Sequence, residues 1–147
     1  MKRGIIILVP IAILYSFLFC SSYRIPENVR YDFTTQGPIT DDVFQVIISA
    51  KPGINTLTQY EQRESAFITA KNIVFDECIN QMLRYYCFEK KTDESSIPAD
   101  KMVILKTIFK DFASDAVIEQ EYYMPDNSAV FVVRIYSAGI KSKILNY

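Results

Sequence analysis

The 147-residue sequence contains no histidine and no tryptophan, and it has only four glycines and three cysteines. Without histidine there is no imidazole to act as the general base of a nucleophilic triad. So few glycines leave no glycine-rich phosphate loop, and the cysteines, without histidine, match no zinc-ligand spacing. We therefore expect no catalytic residue, no metal, no cofactor and no enzymatic activity.

Basic residues are not concentrated anywhere in the chain. There are 16 lysines and arginines against 17 acidic residues, which gives a formal net charge of -1. Binding the phosphate backbone of a nucleic acid needs a concentrated basic face, whereas the basic residues here are scattered along the sequence. Nucleic acid is therefore not an expected partner.

The one long apolar run lies at the N-terminus. Two basic residues precede the apolar segment 4–19, and Cys20 follows it, with two serines after the cysteine. Positive charge ahead of a short apolar segment is typical of an export signal. The segment 16–20 resembles the lipobox of bacterial lipoproteins, in which the signal is cut before the cysteine and the cysteine receives lipid. This pattern predicts a signal peptide over 1–19 and attachment to a membrane through lipid on Cys20.

Two other fates of the N-terminus stay open. Phe19 occupies the position where a lipobox usually has a small residue. Cleavage after Ser21 or Ser22 would release a secreted protein. An uncleaved segment would be a membrane anchor, although a span needs about 20 apolar residues and this run is slightly shorter and contains Pro10. The functional hypotheses below depend on the lipidated form.

After the signal, the sequence divides into a tether and one domain. Segment 20–41 contains Pro26, Gly37 and Pro38 and has no sustained hydrophobic period, which is typical of a linker. Segment 42–147 is long enough for one hydrophobic core and too short for two. We therefore predict the lipidated cysteine and its tether over 20–41 and a single domain over 42–147.

The first half of this domain has the pattern of a strand followed by a long helix. Alternation of apolar and polar residues over 43–50 predicts a half-buried strand. Thr58 followed by Glu61 is a capping box, which predicts a helix start. An apolar repeat of four residues then continues to about Tyr86. The repeat is Ala66, Ala70, Val74, Cys78 and Met82, and Ile73 and Leu83 widen it.

The second half has the pattern of a shorter helix followed by a hairpin. The amphipathic segment 102–113 follows a helix-start signal at Ser96 and Pro98. Segments 116–124 and 129–136 are rich in β-branched and aromatic residues and flank a turn. The predicted order is β-α-α-β-β. We expect an α+β two-layer sandwich, with an antiparallel sheet of three or more strands packed against one long and one short helix.

Several of these features together resemble small bacterial envelope lipoproteins. They are the signal ending in cysteine, the strand 43–50, the alanine-spaced helix through Ala66 and Ala70, and the hairpin 117–135 followed by Gly-Ile-Lys. The domain of these lipoproteins also occurs at the N-terminus of flagellar assembly protein T. The resemblance covers about 42–145. It implies a surface or periplasmic accessory role and no catalytic residue. We expect a lipid-anchored protein of the cell envelope, at the outer membrane, with another envelope protein as its partner.

Two pairs of carboxylates indicate an alternative function, that of a cell-wall hydrolase. Glu119 and Glu121 are two apart on a predicted strand and would share one face, as the acid and base of a hydrolase require. Asp111 and Asp115 are four apart at a helix end. Both pairs are explained more simply as solvated surface residues, so we favour a non-catalytic protein that binds an envelope partner or has a purely structural role.

The hairpin and the long helix supply the remaining candidate residues. Tyr122 and Arg134 are the candidate interface residues. Aromatic side chains presented by a sheet can form an interface, because tyrosine offers a large contact area with a polar tip. Cys78 and Cys87 lie nine apart on one predicted helix, which separates their α-carbons by about 13 Å, beyond disulfide reach. We expect both to be buried thiols.

Overall fold

The structure is a computed structural model that describes residues 32–53 and 58–147. Its elements are β1 (Gly37–Pro38), β2 (Val43–Ala50), α1 (Gln59–Lys90), a 3-10 turn (Glu94–Ser96), α2 (Ala99–Ser114), β3 (Ala116–Tyr123), β4 (Ala129–Tyr136) and α3 (Ile140–Leu145). The predicted signal peptide, Cys20 and most of the predicted tether lie outside the described residues. None of the helices in the described part of the chain is long and apolar enough to cross a membrane.

The strands form one antiparallel sheet in the order β1-β2-β4-β3. β2 and β4 pair along their full length, from Val43 opposite Tyr136 to Ala50 opposite Ala129. β3 pairs with β4 on one side only and is interrupted by a register shift between Ile118 and Gln120. α1 and α3 pack against this sheet, and α2 packs against α1. The predicted α+β two-layer arrangement is confirmed.

The core lies between the sheet and α1, because the core face of the two central strands is entirely apolar. β2 contributes Phe44, Val46 and Ile48, and β4 contributes Phe131, Val133 and Ile135. Four members of the predicted helical repeat are buried against them, namely Ala66, Ala70, Cys78 and Met82. The alanines at the start of α1 allow its backbone to approach the sheet closely. Ile73, which was expected to widen the repeat, is instead 38% exposed.

Local sequence signals account for both ends of α1. The Thr58 backbone N–H donates to the Glu61 carboxylate at 3.1 Å, and the Glu61 N–H donates to the Thr58 hydroxyl at 3.4 Å, so the predicted capping box is confirmed. The helix runs one turn beyond Tyr86 and stops where Lys91 adopts the left-handed conformation. The backbone N–H of Lys91 donates to the carbonyls of Cys87 and Phe88, which are among the last free carbonyls of the helix.

Two short elements escaped the sequence patterns. β1 lies inside the segment predicted as tether, with Gly37 opposite Gln45, so the folded domain begins before residue 42. The positive φ of Gly37, 104°, is open to glycine and rarely adopted by other residues. The C-terminal tail forms α3, which buries Ile140 and Ile144 in the core. Neither element is long enough to show a hydrophobic period.

Candidate binding groove

Arg134, a predicted interface residue, is buried in a polar network on the face of the sheet opposite α1. Only 2% of it is exposed. Its Nε donates to the Gln45 Oε1 at 2.7 Å, and the Gln45 Nε2 donates to the carbonyls of Asp32 and Thr35 at 2.9 and 2.8 Å. This network ties the segment before β1 to the two central strands. Arg134 is therefore unavailable at the surface, which corrects the prediction that it forms an interface.

Tyr122, the second predicted interface residue, remains at the surface with 37% of its area exposed. It lies opposite Val130 in the ladder between β3 and β4. Val130 and Val132, on the same face of β4 as Arg134, are also buried. Side chains on both faces of β4 are therefore buried.

The structure separates the carboxylates of Glu119 and Glu121. The Tyr136 hydroxyl donates to the Glu119 Oε1 at 2.6 Å, whereas Glu121 lies opposite Phe131. Tyr136 and Phe131 are five residues apart on β4 and so point to opposite faces. The register shift beside Glu119 breaks the alternation that would have placed the two glutamates on one face. The predicted carboxylate pair is therefore not assembled.

The other predicted candidates occupy ordinary positions. Asp111 and Asp115 are both exposed at the end of α2. Cys78 and Cys87 are free thiols, the first buried and the second half-buried. Burial, with a smaller contribution from Glu77, raises the pKa of Cys78 to about 12. Since the thiolate is the nucleophilic form, Cys78 behaves as a small apolar residue.

A groove lies between the first turns of α1 and β3. It encloses about 370 Å³. Its lining combines three aromatic rings, two carboxylates and one guanidinium, from Tyr60, Arg63, Glu64, Phe67, Glu121 and Tyr123. A groove of this size with few polar groups among aromatic rings is typical of binding sites.

Arg63 is held in place at the floor of this groove. Its Nε donates to the Asn127 Oδ1 at 3.1 Å, and its guanidinium carbon lies 5.3 Å from the centroid of the Tyr123 ring. Asn127, in the left-handed conformation in the hairpin turn, also donates to the Gln62 side chain at 2.8 Å. Within residues 32–53 and 58–147 the Nη atoms of Arg63 make no hydrogen bond or ion pair. Arg63 is therefore oriented and still has free donors.

The aromatic walls differ in their exposure. The Phe67 ring packs edge-on against Phe131, with centroids 5.2 Å apart, so this wall borders the core. Tyr60 is 74% exposed. Glu64 and Glu121 are exposed and form no ion pair with Arg63.

Sequence patterns indicate only the half of this groove that lies on α1. Tyr60, Glu64 and Phe67 are spaced four and three apart, so they share a helix face. The other half depends on which strand lies beside that face, which the pattern of the hairpin does not specify.

In the described ranges, no three His, Cys, Asp or Glu side chains are grouped as metal ligands. Comparison of the chain with protein families, with curated proteins and with solved structures gave no significant match.

Proposed function

We propose that this protein is a lipid-anchored component of the bacterial cell envelope, attached to the outer membrane through Cys20, and that its single α+β domain binds another envelope component without catalysis. The N-terminal sequence pattern and the resemblance to envelope lipoproteins support the anchor. The groove beside β3 supports the binding role, because it presents an oriented guanidinium, carboxylates and aromatic rings on one accessible surface.

The anchor is tested by labelling cells with a clickable palmitate analogue and comparing the wild type with Cys20→Ala. The expected result is label on the wild type only, together with an intact mass that lacks residues 1–19. Unlabelled wild-type protein would reject the anchor, and its mass would then distinguish an uncleaved segment from a secreted domain.

The binding role is tested by photo-crosslinking in cells. A benzophenone amino acid replaces Tyr60 in the groove or, as the control, Phe88 at the opposite end of α1. These two aromatic residues are similarly exposed, at 74% and 79%. We expect a discrete crosslinked species from the Tyr60 position alone, in the membrane fraction. Identical species from both positions, or none from Tyr60, would reject the groove as the binding surface.

A further inference from the structure

Among residues 32–53 and 58–147, no strand pairs with the outer edge of β3. In the order β1-β2-β4-β3 of this part of the chain it is the outermost strand, and it pairs with β4. Its exposed side chains include Val117, Ile118 and Tyr122, with 48%, 37% and 37% of their areas exposed. An exposed edge is a template for pairing with a further strand. The opposite edge of the sheet is the two-residue β1, which offers much less backbone.

The groove lies beside this open edge. α1 packs mainly over β2 and β4, so the core-facing side of β3 is only partly covered. Glu121 and Tyr123, which line the groove, lie opposite Phe131 and Ala129 and therefore face the helix layer. In a strand added alongside β3, alternate side chains would point to the same side. One of them would reach the groove.

The charges at this edge favour a basic partner. Glu121 lies on β3 and Glu64 faces it from α1, and both line the groove, whereas Glu119 accepts a hydrogen bond from Tyr136 on the other face of the sheet. These two carboxylates outnumber the single guanidinium in the lining, that of Arg63, which lies over the Tyr123 ring. A second copy of this chain would bring the same glutamates into one short ladder, because a two-fold interface uses the same surface twice. Like charges facing each other across strands are destabilising.

We propose that β3 accepts an extended peptide segment of a partner protein as a fifth strand of the sheet, and that a lysine or arginine of this segment enters the groove between Glu64 and Glu121. The apolar stem of the basic side chain packs against Phe67, and its charge lies near the Tyr60 ring, where a cation is attracted to the aromatic face. Pairing starts after the register shift, over 120–123. This assignment rests on the proposed binding role and specifies the chemistry of the partner.

Recognition by strand addition needs both the outer edge of β3 and the acidic groove beside it. In this mode of recognition, backbone hydrogen bonds to the edge strand provide affinity, and pockets for alternate side chains provide specificity. The open backbone of β3 alone would accept any extended segment. The acidic groove selects a segment with a basic residue at one position.

The test uses the full chain in detergent and two fluorescein-labelled nonapeptides of alternating valine and threonine, with lysine or glutamate at the centre. Binding is followed by fluorescence anisotropy. The lysine peptide is expected to bind at least about tenfold more tightly than the glutamate peptide, because like charges at an interface are strongly unfavourable. Hydrogen exchange is expected to slow at the amides of 120–123 when the lysine peptide is bound.

Charge reversal within the groove provides the matched variants. Glu64→Lys and Glu121→Lys are expected to weaken lysine-peptide binding at least about tenfold. Asp76→Lys, at an exposed position further along α1, is expected to change it less than about twofold. Circular dichroism confirms that each variant is folded.

Equal binding of the two peptides, no binding of the lysine peptide, or protection outside β3 would overturn the proposal. Self-association that is abolished by Glu121→Lys would assign the edge to a second copy and would also overturn it. Palmitate labelling and crosslinking from Tyr60 are measured independently of these peptides. Failure of strand addition alone therefore leaves the proposed function intact, whereas loss of the Tyr60 crosslink rejects the binding role itself.

Discussion

Replacing Gln45 with leucine tests whether the buried polar network holds the segment before β1 against the sheet. Gln45 is 0% exposed and participates in three hydrogen bonds, with the carbonyls of Asp32 and Thr35 and with the Arg134 Nε. Leucine has a similar volume and can make none of them. The buried guanidinium would lose one acceptor, and two backbone carbonyls would lose their donor.

The expected cost follows from these three bonds. A neutral hydrogen bond contributes about 1 kcal/mol and a hydrogen bond to a charged group about 1.5–3 kcal/mol. Their loss would cost about 3.5–5 kcal/mol, and the greater apolar burial of leucine offsets about 1–2 kcal/mol. We therefore expect the free energy of unfolding to fall by about 1.5–4 kcal/mol, a large part of the total stability of a small domain.

Urea unfolding followed by circular dichroism measures this change. Gln120→Leu is the matched control, because Gln120 is exposed on β3 and surface substitutions usually change stability by less than about 0.5 kcal/mol. Hydrogen exchange of the backbone amides in 32–37 is expected to accelerate in Gln45→Leu and to stay unchanged in Gln120→Leu. A cost below about 1 kcal/mol, or equal exchange in the two variants, would refute the role assigned to the network.

Three further predictions follow from individual contacts. Thr58→Ala removes the capping box and is expected to lower the free energy of unfolding, measured in urea, by about 1 kcal/mol. Thr69→Ala, in the interior of the same helix, is the control and should lower it by less than half as much. Equal losses in the two variants would contradict the capping role. Cys78 is expected to resist alkylation by N-ethylmaleimide at pH 8 until the protein unfolds, because burial raises its pKa to about 12; rapid modification of the native protein at Cys78, located by mass spectrometry, would contradict this. Burial, followed by the hydrogen bond to Glu119, raises the pKa of Tyr136 to about 12. The pKa of Tyr136 in the folded protein is therefore higher than the pKa of an unfolded tyrosine, about 10. The contribution of Tyr136 to stability is complete below about pH 10 and is lost as the pH rises towards 12. Tyr136→Phe should flatten the alkaline decline seen in urea unfolding between these values, and an unchanged decline would show that other groups cause it.

The main elements of the fold could be predicted because their signals are local. Alternation over 43–50 identifies β2, and the capping box of Thr58 and Glu61 begins α1 at the observed position. The hairpin strands were predicted to within one residue of the observed β3 and β4. In each case the pattern depends on neighbours only a few residues away along the chain.

The candidate site was predicted less well because its contacts are distant in sequence. Arg134 was predicted to be an interface residue, but it is buried by a hydrogen bond to Gln45, 89 residues away in the sequence. The separation of Glu119 from Glu121 depends on a register shift between two strands, which neither strand shows by itself. The groove was missed because Arg63 and Asn127, 64 residues apart, meet only in the folded domain.

Hydrophobic period and capping act between residues that are close along the chain, so the sequence predicts the two longer helices, the three eight-residue strands, their order and the α+β class. β1 and α3 are too short to show a period. Tertiary packing alone sets which polar residues are buried, where aromatic and charged side chains converge and, within the described part of the chain, which strand is outermost. These properties depend on which elements cover each other. The difference in how the two strands are covered also explains why Tyr122 remains exposed whereas Arg134, on the neighbouring strand, is buried.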